Sequence, residues 1–167
     1  IMEGGRVVQV GTPEDILQNP ADDYVRAFFR GVDPTGVISA GEIVNTNYPT
    51  IIKTKKGGGI RAALELLNAK DYNHAYVLNS KKQFLGVVSV DSLSRAVEED
   101  RMTEPIETCY IDDVNPAFKD DNMQDILADV ASRSFPIPVL DENNVFQGVV
   151  SKNRFLRTLH KTENGYH

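Results

Sequence analysis

The sequence predicts a mixed α/β (α+β) fold made of two similar units, each running helix, strand, turn, strand, helix. An apolar stripe of helical period occurs twice, 63 positions apart, and the motif FLGVVS at residues 84–89 returns as FQGVVS at 146–151 with an offset of 62. A period of this length is too long for a solenoid repeat and suits a duplicated small α/β unit. Because one unit is too small to cover both faces of its sheet, we expect the two to pack together about a pseudo-two-fold axis.

The elements of each unit follow from the same pattern. The helical stripes consist of Ile60, Ala63, Leu64 and Leu67 in the first unit and of Met123, Ile126, Leu127 and Val130 in the second. Turn-forming residues at 79–82 and 141–144 separate the two strands of each unit. We expect the closing helices at residues 91–99 and 153–161. A short leading strand is expected at 50–53 in the first unit and near 114–118 in the second.

The residues before the first unit carry their own signals. Gly4-Gly5 followed by an alternating run at 6–10 predicts a hairpin. Thr12 and Pro13 are suited to the N-cap and first position of a short helix that stops at Asn19-Pro20. A second helix would place Tyr24, Val25, Phe28 and Phe29 on its apolar side. We expect this segment to pack on a repeat unit, to pair with a neighbouring chain, or to be partly disordered.

These patterns divide the chain into five parts. The predicted parts are an N-terminal segment at 1–30, a linker at 31–49, a first unit at 50–104, a second unit at 105–161 and a tail at 162–167. Inside the linker, Ser39 and Glu42 have the spacing of a capping box, which predicts a short helix through Val44.

Composition excludes several classes of function. The net charge of −6 argues against non-specific nucleic-acid binding, and no apolar run is long enough to span a membrane. The start of the chain has no signal-peptide pattern, and Cys109 stands alone, which favours a reducing compartment. Charge is uneven along the chain, with eight basic and three acidic residues from Lys53 to Arg95 but two basic and ten acidic residues from Glu98 to Asp125. Such asymmetry makes long-range contacts sensitive to salt.

The duplicated unit, with Phe-x-Gly-Val-Val-Ser closing its second strand, resembles the CBS domain, and two in tandem resemble a Bateman module. The match covers about residues 50–161. The stretch MEGGRVVQVGTPEDI at 2–16, with Asn19-Pro20-Ala21 and Tyr24-Val25-Arg26 after it, resembles the C-terminal end of the ATPase domain of ABC importers. The combination, with Asp33 after it, is similar to the ATP-binding subunit of glycine betaine/L-proline transporters.

That resemblance implies osmoprotectant uptake driven by Mg-ATP in the intact subunit. It also implies a permease partner, a cytoplasmic position at the inner face of the membrane, and a homodimer formed through the CBS units. The same unit in an importer for another solute is an open alternative.

Signals for catalysis are absent from these residues. There is no Gly-x-x-x-x-Gly-Lys-Ser/Thr loop, because Gly57-Gly58-Gly59 lacks the Lys-Ser/Thr that must follow, and no Leu-Ser-Gly-Gly-Gln signature. His74, His160 and His167 lack metal-ligand spacing, and Cys109 has no base near it in sequence. We therefore expect no catalytic residue, no metal site and no ATP hydrolysis in this chain by itself.

The resemblance points to a candidate ligand site at the end of each closing strand. In CBS domains that bind adenosine compounds, a Ser or Thr there contacts ribose or phosphate, and a carboxylate three residues later holds the ribose hydroxyls. Ser89 and Ser151 are in place, but Ser92 and Arg154 occupy the carboxylate positions. Asp91 and Asn153 sit one place early, so Asp91 would point away from the pocket or cap the helix.

Cationic residues supply a second set of candidates. Lys152 and Arg154, or Lys53, Lys55 and Lys56 beside the glycine loop, would suit a phosphate or a cyclic dinucleotide. Alternatively they are surface cations that keep the fold soluble.

Three hypotheses of function remain open from the sequence. In the first, the module regulates an ATPase by binding an adenine nucleotide or cyclic dinucleotide. In the second, it senses ionic strength by contact with an acidic partner or an anionic membrane, through Lys152, Arg154, Arg157 and Lys161 or through the basic 53–95 region. In the third, it serves only to dimerise the ATPase.

Overall fold

The computed structural model describes residues 2–3, 6–7, 9–12, 15–16, 19 and 34–164. At the start, strand β1 (Met2–Glu3) pairs antiparallel with β2 (Arg6–Val7), which confirms the predicted hairpin. The Thr12 hydroxyl accepts a hydrogen bond from the Asp15 amide at 3.2 Å, so Thr12 caps a helical turn as predicted. The predicted helix with Tyr24, Val25, Phe28 and Phe29 lies outside the described residues, as do Asp33 and His167.

The first unit contains a three-stranded sheet and two helices. Strand β3 (Thr50–Ile52) lies parallel to β4 (His74–Leu78), which pairs antiparallel with β5 (Phe84–Ser89). Helix α1 (Ile60–Lys70) connects the first two strands and α2 (Val90–Glu98) follows the third. The parallel pair requires the helical crossover that α1 supplies.

The second unit repeats this topology. Strand β6 (Ala117–Phe118) lies parallel to β7 (Ile137–Leu140), which pairs antiparallel with β8 (Phe146–Val150). Its helices are α3 (Met123–Ser132) and α4 (Lys152–Asn164).

Even the irregularities are duplicated. The antiparallel pair shifts register between Val77 and Leu78 in the first unit and between Val139 and Leu140 in the second. The predicted duplication and fold class are confirmed. The helix expected from Ser39 through Val44 is instead a 3-10 turn, Ala40–Glu42.

The apolar stripes contribute to two separate cores. Ile60, Ala63 and Leu67 are buried in the first, and Met123, Ile126 and Val130 in the second. Leu64 is only half-buried, and the expectation for Leu127 was wrong, because its side chain is 47% exposed. Among the described residues, no helix has the length and apolar character needed to cross a bilayer.

The second unit's core is completed by the segment before β3, and the first unit's core by the segment before β6. Ile38, Ala40 and Ile43, from the predicted linker, are buried in the second unit's core, and residues 38–45 are called the crossing segment below. Ile106 and Cys109, from the start of the predicted second unit, are buried in the first unit's core. The chain therefore crosses between the units twice, and residues 38–43 of the predicted linker are a structural part of the second unit in space. The domain boundaries along the chain stay a prediction.

The two sheets meet through a third apolar cluster. Tyr76 and Val87 of the first unit and Val149 of the second are fully buried there. At one edge, the Lys82 carbonyl accepts from the Phe146 amide at 3.0 Å, and the Asn144 carbonyl accepts from the Phe84 amide at 2.9 Å. The two acceptor residues are 62 positions apart and both have positive φ, +62° and +61°, so this exchange follows the pseudo-two-fold axis.

Candidate functional site

A cleft of about 560 Å³ lies where the two units meet. It is lined by Asn73, His74, Ser89, Val90 and Asp91 of the first unit, by Ile111 and Asp112 between the units, and by Ser134 and Phe135 of the second unit. The volume is in the range of small-molecule sites, and the wall is shared between the units.

Ser89 lies at the cleft as predicted, but it is also the N-cap of α2. Its hydroxyl oxygen accepts from the Ser92 amide at 3.0 Å, and the Ser92 hydroxyl oxygen accepts from the Ser89 amide at 3.0 Å. Ser92, at the position where a carboxylate was expected, therefore completes a reciprocal capping box.

Asp91 lies in the first turn of α2 and lines the cleft. Both expectations for Asp91 were therefore wrong, because Ser89 already caps the helix and Asp91 does not turn away from the pocket. The carboxylate is present at the site, one position earlier than the CBS pattern has it.

Two rings form part of the wall, beside the apolar side chains of Val90 and Ile111. The centroids of His74 and Phe135 are 5.6 Å apart, with their planes tilted by 45°. Burial of His74 lowers the pKa of its imidazole below 6.5, and the nearby Asp91 charge partly offsets this. The imidazole is therefore mainly neutral at pH 7.

A smaller depression of about 230 Å³ lies at the start of α4 and holds the second set of predicted residues. Ser151, Lys152 and Asn153 line it with Arg133 and residues 134–136. The Ser151 hydroxyl oxygen accepts from the Arg154 amide at 3.1 Å, which repeats the cap made by Ser89.

Arg154 does not line either depression. Its Nε donates to the Ile43 carbonyl at 3.1 Å, so its side chain ties α4 to the crossing segment. By spacing, Arg157 and Lys161 share the helix face of Arg154, whereas Lys152 faces elsewhere. The four candidate salt-sensing cations are exposed, and Lys152 lies off the helix face that the other three share.

The glycine loop forms a third depression, of about 270 Å³, with residues 102–106. Lys53 forms an ion pair with Glu107, while Lys55 and Lys56 are exposed. The loop lies apart from the inter-unit cleft, so Lys53 does not join Ser89 and Asp91 at one site.

Seven lining residues of the cleft were not singled out from the sequence as ligand residues: Asn73, His74, Val90, Ile111, Asp112, Ser134 and Phe135. Residues 73–74 lie at the start of β4, and residues 134–135 lie within three residues of the start of β7. The repeat itself could have identified them, since the ends of duplicated strands meet at the interface. Asp112 had no such signal. Within the described ranges, no group of three or more His, Cys, Asp or Glu side chains could hold a metal ion.

Comparison with known families supports the class of protein. A model described as the CBS domain matches residues 40–99, which include the first unit and most of the crossing segment. The structure resembles CbpB solved in complex with c-di-AMP, with a TM-score of 0.66 at 11% identity over 86% of this chain and 95% of that one. It also resembles the CBS domain pair of protein MJ0100 in complex with 5′-methylthioadenosine and S-adenosyl-L-methionine, with a TM-score of 0.55 at 17% identity over 71% and 97% of the two chains. The fold is that of a CBS domain pair.

The sequence comparison is more specific. The chain is 41% identical over 159 residues, 95% of its length, to the glycine betaine/proline betaine transport system ATP-binding protein ProV of Salmonella typhimurium. It spans 39% of that relative's length. The expected resemblance to ATP-binding subunits of glycine betaine/proline transporters is therefore confirmed.

Proposed function

We propose that this chain is the regulatory module of the ATP-binding subunit of an osmoprotectant importer, of the glycine betaine/proline type. The observation that carries the proposal is the inter-unit cleft, whose wall contains Asp91 from one unit and Phe135 from the other. A ligand held by both units favours one arrangement of the pair, and it changes activity to the extent that it binds that arrangement better.

The similarity to ProV supports the rest of the proposal. In the intact subunit, Mg-ATP would be bound by residues outside this module, a permease subunit would be the partner, and the complex would sit at the cytoplasmic face of the membrane. Pairing of two modules would join two ATPases. Adenosine compounds are the ligand class to test, because two CBS-pair structures of this fold carry them.

The test uses the intact subunit assembled with its permease in vesicles. Ser134→Trp fills the exposed mouth of the cleft, and Ser80→Trp places the same side chain on an exposed turn outside it. We expect the Ser134 variant to keep basal ATP hydrolysis but to lose its response to adenosine compounds, while the Ser80 variant keeps both. An undiminished response in the Ser134 variant would contradict the proposal.

A specific observation also favours ionic-strength sensing. Lys55 and Lys56 project from a glycine-rich loop as exposed cations, and Arg157 and Lys161 do so from α4. Contacts between such charges and an anionic surface weaken as the Debye length falls from about 10 Å at 0.1 M salt to about 3 Å at 1 M.

Two double variants, each of which neutralises one pair of cations, test the two surfaces separately. The Lys55→Gln/Lys56→Gln and Arg157→Gln/Lys161→Gln variants are compared for the dependence of transport on KCl. If one pair of cations senses salt, its double variant should shift the activation curve to lower salt, and the other double variant serves as the control. If neither curve moves, ionic-strength sensing by these surfaces is wrong.

A further inference from the structure

The inter-unit cleft has an unusual charge for a nucleotide site. Asp91 and Asp112 both line it, and none of its lining residues is Lys or Arg. In the part of the chain that the structure describes, neither carboxylate forms an ion pair with a basic side chain. His74 contributes no compensating charge, because burial keeps its imidazole mainly neutral at pH 7.

The positive end of α2, which would otherwise attract a phosphate, is already occupied. Ser89 and Ser92 satisfy each other's amides, and Asp91 places a negative charge in the first turn. A phosphate brought into the cleft would therefore meet two carboxylates and no free cation.

The depression at the start of α4 provides an internal comparison. Its lining contains Arg133 and Lys152 and no carboxylate, and the first turn of α4 has no acidic residue. The two depressions share Ser134 and Phe135, so opposite charges lie on the two sides of one short segment.

We infer that the inter-unit cleft selects a nucleoside-like ligand that is uncharged or cationic and discriminates against a phosphate-bearing one. The His74 and Phe135 rings supply an apolar surface for a planar base, and Asp91 and Asp112 accept from hydroxyl or ammonium donors. This inference rests on the proposed function, because it names the class of ligand for the same cleft.

Three probes that differ only at the 5′ position test the inference. They are adenosine, which is uncharged, 5′-amino-5′-deoxyadenosine, which is cationic, and adenosine 5′-monophosphate, which is anionic. Titration calorimetry on the full chain of 167 residues at low salt measures the dissociation constants. We expect the cationic and uncharged probes to bind at least about tenfold more tightly than the monophosphate, because two carboxylates repel it at short range.

Two variants test whether the carboxylates of the cleft cause the discrimination against the monophosphate. Asp91→Asn/Asp112→Asn is expected to lower the ratio of the monophosphate and adenosine dissociation constants at least about tenfold. Asp113→Asn removes the same charge one residue away, outside the lining, and should change that ratio less than about twofold. Raising KCl should also reduce the wild-type ratio, which tests the electrostatic origin without any substitution.

The outcomes separate this inference from the proposed function. Equal or tighter binding of the monophosphate to the wild type, or an unchanged ratio in the double variant, overturns the inference and leaves ligand regulation standing. If none of the probes binds, the inference fails together with regulation by nucleosides, and ionic-strength sensing is what remains.

Discussion

The Tyr76 hydroxyl on β4 of the first unit donates to the Pro136 carbonyl of the second unit, at 2.5 Å between the oxygens. Tyr76 is fully buried in the apolar cluster between the sheets, stacked at 5.5 Å on Phe146. Burial raises the pKa of Tyr76, so its hydroxyl stays protonated and able to donate. This bond is one of several that cross the pseudo-two-fold interface, and it lies beside the cleft because Pro136 directly follows Phe135.

Tyr76→Phe is expected to destabilise the fold by about 1–3 kcal/mol, because it leaves the Pro136 carbonyl without its partner. The control is Tyr110→Phe, because the Tyr110 hydroxyl is buried without a hydrogen-bond partner among the described residues. Removing that hydroxyl should be neutral or stabilising. Urea unfolding of the two variants measures the difference, and equal losses would contradict the assignment of the Tyr76 bond.

Gly86→Ala should destabilise by about 1–3 kcal/mol through overpacking. A Cβ at Gly86 would lie 2.6 Å from the ring of Tyr110, which packs against the first unit's core. Gly36→Ala is the control, because a Cβ there meets nothing within 4 Å. Thermal melts should show a lower midpoint for the Gly86 variant only. If Tyr110 is the obstacle, adding Tyr110→Ala should make the double variant's loss smaller than the sum of the single losses.

Arg154→Gln should cost about 0.5–1.5 kcal/mol and loosen the crossing segment, because it removes the donor to the Ile43 carbonyl. Arg157→Gln changes the same charge on the same helix face, at an exposed position for which no such bond is seen. Hydrogen exchange would detect the difference as faster exchange at the Asn45 amide, which bonds to the Val149 carbonyl at 2.7 Å. Equal exchange in both variants would show that Arg154 does not hold the segment.

Stability should decrease as the pH falls through about 6.5, since the pKa of His74 is lower in the folded chain than in the unfolded one. The unfolded chain then binds the proton more readily, so protonation favours unfolding. His74→Gln should flatten the slope of unfolding free energy between about pH 7.5 and 5. Asn73→Gln, a neighbouring substitution in the same cleft that removes no titrating group, should keep the wild-type slope. An unchanged slope in the His74 variant would mean that other groups set it.

The repeat was predictable because its signals are local. Hydrophobic periodicity specified α1 and α3, and the paired Phe-x-Gly-Val-Val-Ser motifs specified β5 and β8. Capping pairs such as Ser39 and Glu42 also act within four residues, and the Glu42 carboxylate does accept from the Ser39 amide at 3.0 Å. The stripe failed only at Leu127, because periodicity shows which residues share a face but not how wide the covering surface is.

The candidate site was only partly predictable. The positions of Ser89 and Ser151 between a strand and a helix were predicted, since the end of a strand and the start of a helix are visible in sequence. The role of Arg154 was not, because its partner Ile43 lies 111 positions away.

The sequence by itself determined a duplicated α/β unit, its order of elements and its resemblance to a CBS pair, because each of these rests on spacing within a few tens of residues. Only the tertiary structure decided that residues 38–45 pack with the second unit and residues 106–110 with the first. It also decided that Asp91, Asp112, His74 and Phe135 share one cleft. The physical reason is that each small sheet leaves apolar surface uncovered, and burying that surface brings together residues that are far apart along the chain.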